Sequence, residues 1–376
     1  MYNLTLSDMS GFFRKTAFIA ALLAAGSANA QEEFKGLEHL FTVPKQYTAG
    51  FTATPPKIDG KLKDKVWENV PWTDNFTDIQ GDKIAAPYYN TRLKMIWDKD
   101  NLYIAAEIKD PDVWANVKNH DEVVFQDNDF EIFIDPDNDT HQYFEIEVNA
   151  INTIWDLFMP RAYRDGSRGL SSWETLGMHS AVKVQGSLNN PSRKDEGWTV
   201  EMAIPHKSLN ASSRSGQGPK DGDFWRINFS RVQYGTTVAD GKYVKNKDAA
   251  GKDLPELNWV WSPQGLIAMH YPERWGYLKF SDTPAGTPQP AFVMPYSEKQ
   301  RNYLWLVYYR QKEYLKQQGK YAASLKDLGI SPDFTLEGKA NTLDMEATAH
   351  QFFVSIKADQ QSTITINQEG LIQIVK

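Results

Sequence analysis

Apolar and polar residues alternate along Asp129-Phe130-Glu131-Ile132-Phe133-Ile134-Asp135 and again along Tyr143-Phe144-Glu145-Ile146-Glu147-Val148-Asn149. That period of two predicts a pair of half-buried strands joined by a short turn. The same rhythm recurs every dozen or so positions from Ile58 onward. Residues 91–97 alternate, Asp98-Lys99-Asp100-Asn101 turns, and residues 102–108 return as the second arm of a hairpin. Further strands are predicted over 181–186, 198–204, 225–232 and 277–280, with polar, Gly-containing loops over 212–222 and 236–252. This rhythm predicts a mainly β protein built as an antiparallel β-sandwich.

Residues 282–296 are rich in proline and read as a linker, after which the texture changes. Leu304, Val307, Tyr308 and Leu315 recur at helical spacing, and Gly319 is placed to stop that helix. A second short helix over 322–328 and strands around 352–356, 364–366 and 372–374 complete a small C-terminal α+β appendage over 297–376. At the other end, Arg14 and Lys15 precede the apolar run 17–25, and Ala28-Asn29-Ala30 offers small residues for cleavage. Residues 1–30 therefore read as a signal peptide, so the protein is expected to be exported, periplasmic or secreted, with no membrane anchor after cleavage. An extended lead-in over 31–55 then leads into the sandwich at 56–281.

Composition narrows the chemistry. There are no cysteines, which removes thiol nucleophiles, disulfides and Cys-ligated zinc. Lys and Arg total 41 against 48 Asp and Glu, without a basic block, so a nucleic-acid partner is not expected. The seven histidines form no HxxxH or HxH pair, and the chain has no G-x-S-x-G elbow or dinucleotide-type glycine spacing. Glycosidases carry no universal motif and need only two carboxylates, so that class stays open.

The predicted hairpin is the richest stretch. If Phe130, Ile132, Ile134, Phe144, Ile146 and Val148 face the core, then Asp129, Glu131, Glu145, Glu147 and Asn149 share the opposite face. Facing like charges are destabilising unless something satisfies them. Arginine from a neighbouring strand, a calcium ion or ligand hydroxyls would each serve, and Arg226 and Asn228 have the parity to contribute. Trp155, Trp173, Trp259, Trp261 and Trp275 are expected at strand ends or in loops, as corner plugs or as platforms for a sugar ring. Asp135, Asp137 and Asp139 present oxygen ligands at alternate positions, the pattern of a calcium loop or of an acidic turn.

Ile58-Asp59-Gly60-Lys61-Leu62 with Val66-Trp67, Ile96-Trp97-Asp98, Leu102-Tyr103-Ile104 and residues 129–135 together resemble a family 9 carbohydrate-binding module. Residues 197–205 and 225–229, Trp261-Ser262-Pro263 and residues 274–278 continue the resemblance, which spans about 56–281. It implies a sandwich similar to the DOMON domains, whose members bind sugars or haem, and it implies bound calcium as a structural ion. It also implies a sugar held between two aromatic rings with a Glu and an Arg as polar contacts. By position those roles fall on Phe125, Glu131, Glu147 in place of the Arg, and Met269 beside His270. The expected ligand site therefore comprises Phe125, Glu131, Glu147, Asn149, Trp173, Arg226, Asn228, Trp261, Met269 and His270.

The function expected from these readings is non-catalytic binding of an oligo- or polysaccharide of plant or cell-wall type, such as xylan, in support of carbohydrate catabolism. A glycoside hydrolase of endo-xylanase type using Glu131, Glu145 or Glu147 is the first alternative. A haem protein with His270 or Met269 as axial ligand is the second.

Overall fold

The computed structural model describes residues 33–212 and 217–375 and divides the chain into two compact units, 42–293 and a second formed by the stretch up to Phe41 with 294–376. The signal peptide expected over 1–30 lies outside the described residues.

In the larger unit the strands are β1 (Gln46–Phe51), β2 (Thr77–Asp78), β3 (Thr91–Trp97), β4 (Asn101–Ile108), β5 (Asp129–Asp135), β6 (Tyr143–Asn149) and β7 (Ile154–Met159). They continue as β8 (His179–Gln185), β9 (Gly197–Pro205), β10 (Phe224–Gln233), β11 (Thr236–Ala239), β12 (Lys242–Lys245), β13 (Leu257–Val260) and β14 (Gly276–Pro284). A single curled sheet runs β7-β6-β5-β10-β14-β1-β3-β4-β9-β8, with β13 and β2 branching from β10 and a separate β11–β12 hairpin. Its two halves face each other as the layers of a sandwich-like fold. The expected antiparallel pairing holds except at β1, which runs parallel to both β14 and β3.

The alternation seen in the sequence decides which face is inside. Phe130, Ile132 and Ile134 of β5, Phe144, Ile146 and Val148 of β6, and Ile227 and Phe229 of β10 join Leu93, Met95, Ile104, Trp198, Val200 and Met202 in one core. Burying so many large side chains is the main stabilising contribution, about 1.5–3 kcal/mol each. The outer face of β3, β4 and β9 is covered in turn. Trp67 packs there on Ile96, Tyr103, Ala105 and Ala203. Glu201 explains why the chain turns at Ile58-Asp59-Gly60: its Oε2 accepts from the Asp59 and Gly60 amides (3.1 and 2.9 Å), and its Oε1 accepts from Trp67 Nε1 at 2.8 Å. Gly60 sits at φ 74°, where an added Cβ would meet Val182 carbonyl carbon at 2.9 Å. Glu201→Ala leaves buried donors unpaired and is expected to destabilise the unit by at least about 2 kcal/mol. A lower urea midpoint at unchanged slope would report it.

The stretch read from sequence as one lead-in is divided. Gln46–Phe51 enters the sheet as β1, whereas Phe34 and Phe41 pack on Tyr303 and Tyr309 of the smaller unit at ring distances of 5.4 and 5.9 Å. There helix α1 (Tyr296–Gln318) ends at Gly319, whose φ of 70° makes the left-handed cap. The second predicted helix is reduced to a single 3-10 turn, Leu325–Leu328, capped by Ser324. Strands β15 (Asp333–Leu336), β16 (Lys339–Ala347), β17 (Phe352–Ala358), β18 (Thr363–Asn367) and β19 (Ile372–Val375) form an antiparallel meander. Leu304, Trp305, Val307 and Tyr308 bury the helix on it. Among the described residues no helix is long and apolar enough to cross a membrane.

Candidate functional site

The face of β5, β6, β7 and β10 that points away from the main core carries the acidic residues, and the strand register arranges them in rows. Trp155, Glu147, Glu131 and Ser230 form one row, and Leu157, Glu145, Phe133 and Asn228 form the next. Asp129 stands opposite Asn149 one step further on. Glu131 and Glu145 are 5% exposed, Glu147 1% and Asp129 0%. Oxygens of Asp129, Glu131 and Glu147 lie within 4.8 Å of one another.

Burial dominates their electrostatics. It holds Asp129, Glu145 and Glu147 well above the usual carboxylate range, with their mutual repulsion adding to it, and raises Glu131 to about 7. Few donors offset this. Val232 N donates to Asp129 Oδ1 at 3.2 Å and Phe125 N to Glu147 Oε2 at 2.9 Å. Asp129 Oδ2 and Glu145 Oε2 are sealed from solvent without a hydrogen-bond partner, as is Trp155 Nε1.

Aromatic rings flank this floor. The Phe125 and Trp155 rings lie 6.0 Å apart, tilted by 33°, beside Glu147, and both are half-buried. Tyr163 is exposed, and the charges of Glu145 and Glu147 add to burial in raising its hydroxyl pKa. His270 closes the other end. Its Nδ1 lies 2.8 Å from the Tyr143 hydroxyl and its Nε2 3.8 Å from Glu145 Oε2, and its ring meets that of Tyr163 at 4.4 Å. Burial, with Arg164 nearby, lowers His270 to about 3, so it is neutral. Met269 packs behind it with Phe133, Tyr143 and Trp275, and its carbonyl accepts from Trp275 Nε1 at 2.8 Å.

Of the residues expected at the site, Phe125, Glu131, Glu147 and His270 therefore border one acidic floor, with Met269 behind His270. The others do structural work. Arg226 stands opposite Asp135, two rows from Glu131, and donates to Asn138 Oδ1 (3.1 Å) and the Trp275 carbonyl (2.7 Å), with Tyr277 stacked 3.8 Å away. Asn228 locks Ser262 through bonds of 2.9 and 3.0 Å. Asn149 has both side-chain ends engaged, donating to Val117 O and Asp127 Oδ2 and accepting from Ile151 and Thr153. Trp261 is buried against Phe229, and Trp173 packs on Phe144 at 4.7 Å on the core side. Parity puts Arg226 and Asn228 on the acidic face; register sets Asn228 in the row of Glu145 and Arg226 one row beyond, opposite Asp135.

Asp135, Asp137 and Asp139 do converge within 4.8 Å. Both oxygens of Asp135 accept backbone N–H groups, from Asn138 (2.9 Å) and Thr140 (2.8 Å), and Asp139 accepts from His141. Asn138 is bonded in turn to the Arg226 guanidinium, while burial and the charges of Asp137 and Asp139 hold the Asp135 carboxyl well above the usual carboxylate range, so the turn keeps a donor set that a cation could occupy.

Trp155 and Tyr163 border the same floor and lie outside the ligand site expected from the sequence. The signal was present in Trp155, eight residues beyond Glu147, but β7 was not recognised because Asp156 interrupts its apolar face.

Residues 58–253 match the family described as carbohydrate family 9 binding domain-like. Endo-1,4-beta-xylanase A of Thermoanaerobacterium saccharolyticum is 26% identical over 210 residues, which is 56% of this chain and 14% of that enzyme. Exoglucanase XynX of Acetivibrio thermocellus is 27% identical over 166 residues, 44% of this chain and 13% of the enzyme. The chain thus spans only a small part of either relative. A family 9 module of Caldicellulosiruptor kristjanssonii, solved with cellotriose, is 18% identical, with a TM-score of 0.39 over 66% of this chain and 100% of the module. The family match covers more than half of the 376 residues and runs through the strands that build the acidic floor, so this chain belongs to the carbohydrate family 9 binding domain-like family.

Proposed function

We propose that the protein binds a plant-type or cell-wall oligo- or polysaccharide, without cleaving it, at the acidic floor between Phe125, Trp155 and Tyr163. The observation that carries this reading is the cross-strand array of Glu131, Glu145 and Glu147 bordered by the Phe125, Trp155 and Tyr163 rings. Sugar hydroxyls are suited to carboxyl groups, and the C–H face of a pyranose suits an aromatic platform. Family membership supports carbohydrate as the ligand class. Export through the N-terminal segment and a role in carbohydrate catabolism belong to the same proposal.

Binding without turnover is favoured over hydrolysis because the family match is to a binding domain and the chain spans only 14% and 13% of the xylanase and exoglucanase relatives. A glycan array followed by calorimetry on the best ligand tests the proposal, with a reducing-sugar assay on xylan and glucan alongside. Binding without sugar release is expected. Sugar release lost in Glu131→Gln would establish the hydrolase instead, and an array without hits would remove the carbohydrate reading.

A further inference from the structure

On the other face of β7 from Trp155, a second group of ionisable side chains converges. His120, Asp121, Asp156 and Glu174 each offer a ligand atom, and these atoms lie within 4.8 Å of one another. Three chain segments bring them together. The amide of Asp121 donates to the Ile154 carbonyl at 3.1 Å, which ties the 117–122 loop to the start of β7. Thr175 donates from its amide (2.5 Å) and its hydroxyl (2.6 Å) to Asp156 Oδ2, which sets the neighbouring Glu174 against the same strand.

We propose that His120, Asp121, Asp156 and Glu174 bind a divalent transition-metal ion of the Zn2+ or Mn2+ type. Three features of the cluster point there. One imidazole with three carboxylates is a mixed N,O donor set, which suits borderline first-row cations and is unlike the all-oxygen shells of Ca2+ and Mg2+. The separations fit as well. Ligands bound at ~2.0–2.1 Å in a tetrahedron stand roughly 3.3 Å apart. His120 Nε2 is 3.1 and 3.2 Å from the two Glu174 oxygens and 3.5 Å from Asp121 Oδ1.

The third feature is independent of the clustering. Asp156 is 1% exposed, and its Oδ1 is sealed without a hydrogen-bond partner while Oδ2 is fully used by Thr175. A buried carboxylate oxygen left unpaired is costly, and a cation at the cluster satisfies it. A simple ion pair between His120 and Glu174 would account for two of the four residues. It leaves the sealed Asp156 Oδ1 without a partner.

The site does not depend on the sugar reading, and its test needs no sugar. The full chain is stripped with EDTA, dialysed and titrated with ZnCl2, MnCl2 and CaCl2 by calorimetry, and with CoCl2 while following the visible d–d absorption of bound Co2+. Saturable binding of Zn2+ or Mn2+ and a Co2+ spectrum are expected, with affinity lower by at least ~10-fold in His120→Ala and in Glu174→Gln. Both side chains are about half exposed, so these variants keep the fold, and far-UV circular dichroism checks it. Asp135→Asn, at the separate acidic turn, is expected to bind like the parent. No transition-metal binding, or equal affinity in both variants, would reduce the cluster to an ion pair. Binding of Ca2+ with none of Zn2+ or Mn2+ would overturn the assigned ion class.

Discussion

Glu131→Gln is expected to stabilise the larger unit by roughly 3 kcal/mol at pH 8 and to change its stability little at pH 4. In the folded protein burial raises the Glu131 carboxyl to about 7 from an ordinary value of 4.5. Below 4.5 the group is protonated whether the chain is folded or not, so it makes no difference. Between about 4.5 and 7 the unfolded chain releases the proton while the fold retains it, and the fold weakens by up to ~1.4 kcal/mol for each pH unit. Above 7 the loss is complete and constant. The neutral amide of Gln carries no such penalty and also removes one charge that raises Glu145 and Glu147. Urea unfolding of parent and variant at half-unit intervals from pH 4 to pH 8.5 gives the difference directly. A difference that stays flat with pH would mean that Glu131 ionises in the fold as it does in the open chain.

Replacing the same side chain by Ala is expected to cost affinity. If Glu131 and Glu147 accept ligand hydroxyls, Glu131→Ala and Glu147→Ala should each lose about 1.5–3 kcal/mol of binding, or roughly 10- to 150-fold in Kd. Trp155→Ala, which removes a ring without touching a charge, should lose a comparable amount through stacking and lost apolar contact. Stability and affinity then move in opposite directions at Glu131, as expected of charges kept buried for a ligand at the expense of the fold. Unchanged affinity in all three variants would remove the floor as the binding site and leave the family's activity to another surface.

The hairpin of β5 and β6 was readable because parity is a local property. Phe130, Ile132 and Ile134 alternate with acids, and only one assignment of faces buries them, so the acidic face followed without knowledge of its neighbours. Where Arg226 and Asn228 fall on that face is, by contrast, not a local property. Their parity was right, but which row of the sheet they occupy depends on the stagger between β10 and β5, strands almost a hundred residues apart in the chain. That stagger sets Ser230 beside Glu131 and Arg226 beside Asp135. Trp261 and Trp173 pack on Phe229 and Phe144, because a large amphipathic ring near a strand end serves burial as readily as recognition.

Strands β1, β7 and β13 escaped detection because each is short and its pattern is broken: Gly50 in β1, Asp156 in β7, and Asn258 within the four residues of β13. The β-rich class, the switch to a helical texture after the proline-rich stretch and the pairing of core face with acidic face are written in spacing that each segment carries alone. The capture of Asp59 and Gly60 by Glu201 and the meeting of His120 with Glu174 link residues far apart in sequence. Such contacts follow from register and loop closure, which depend on the free energy of the packed sheet as a whole and leave no trace in the local pattern.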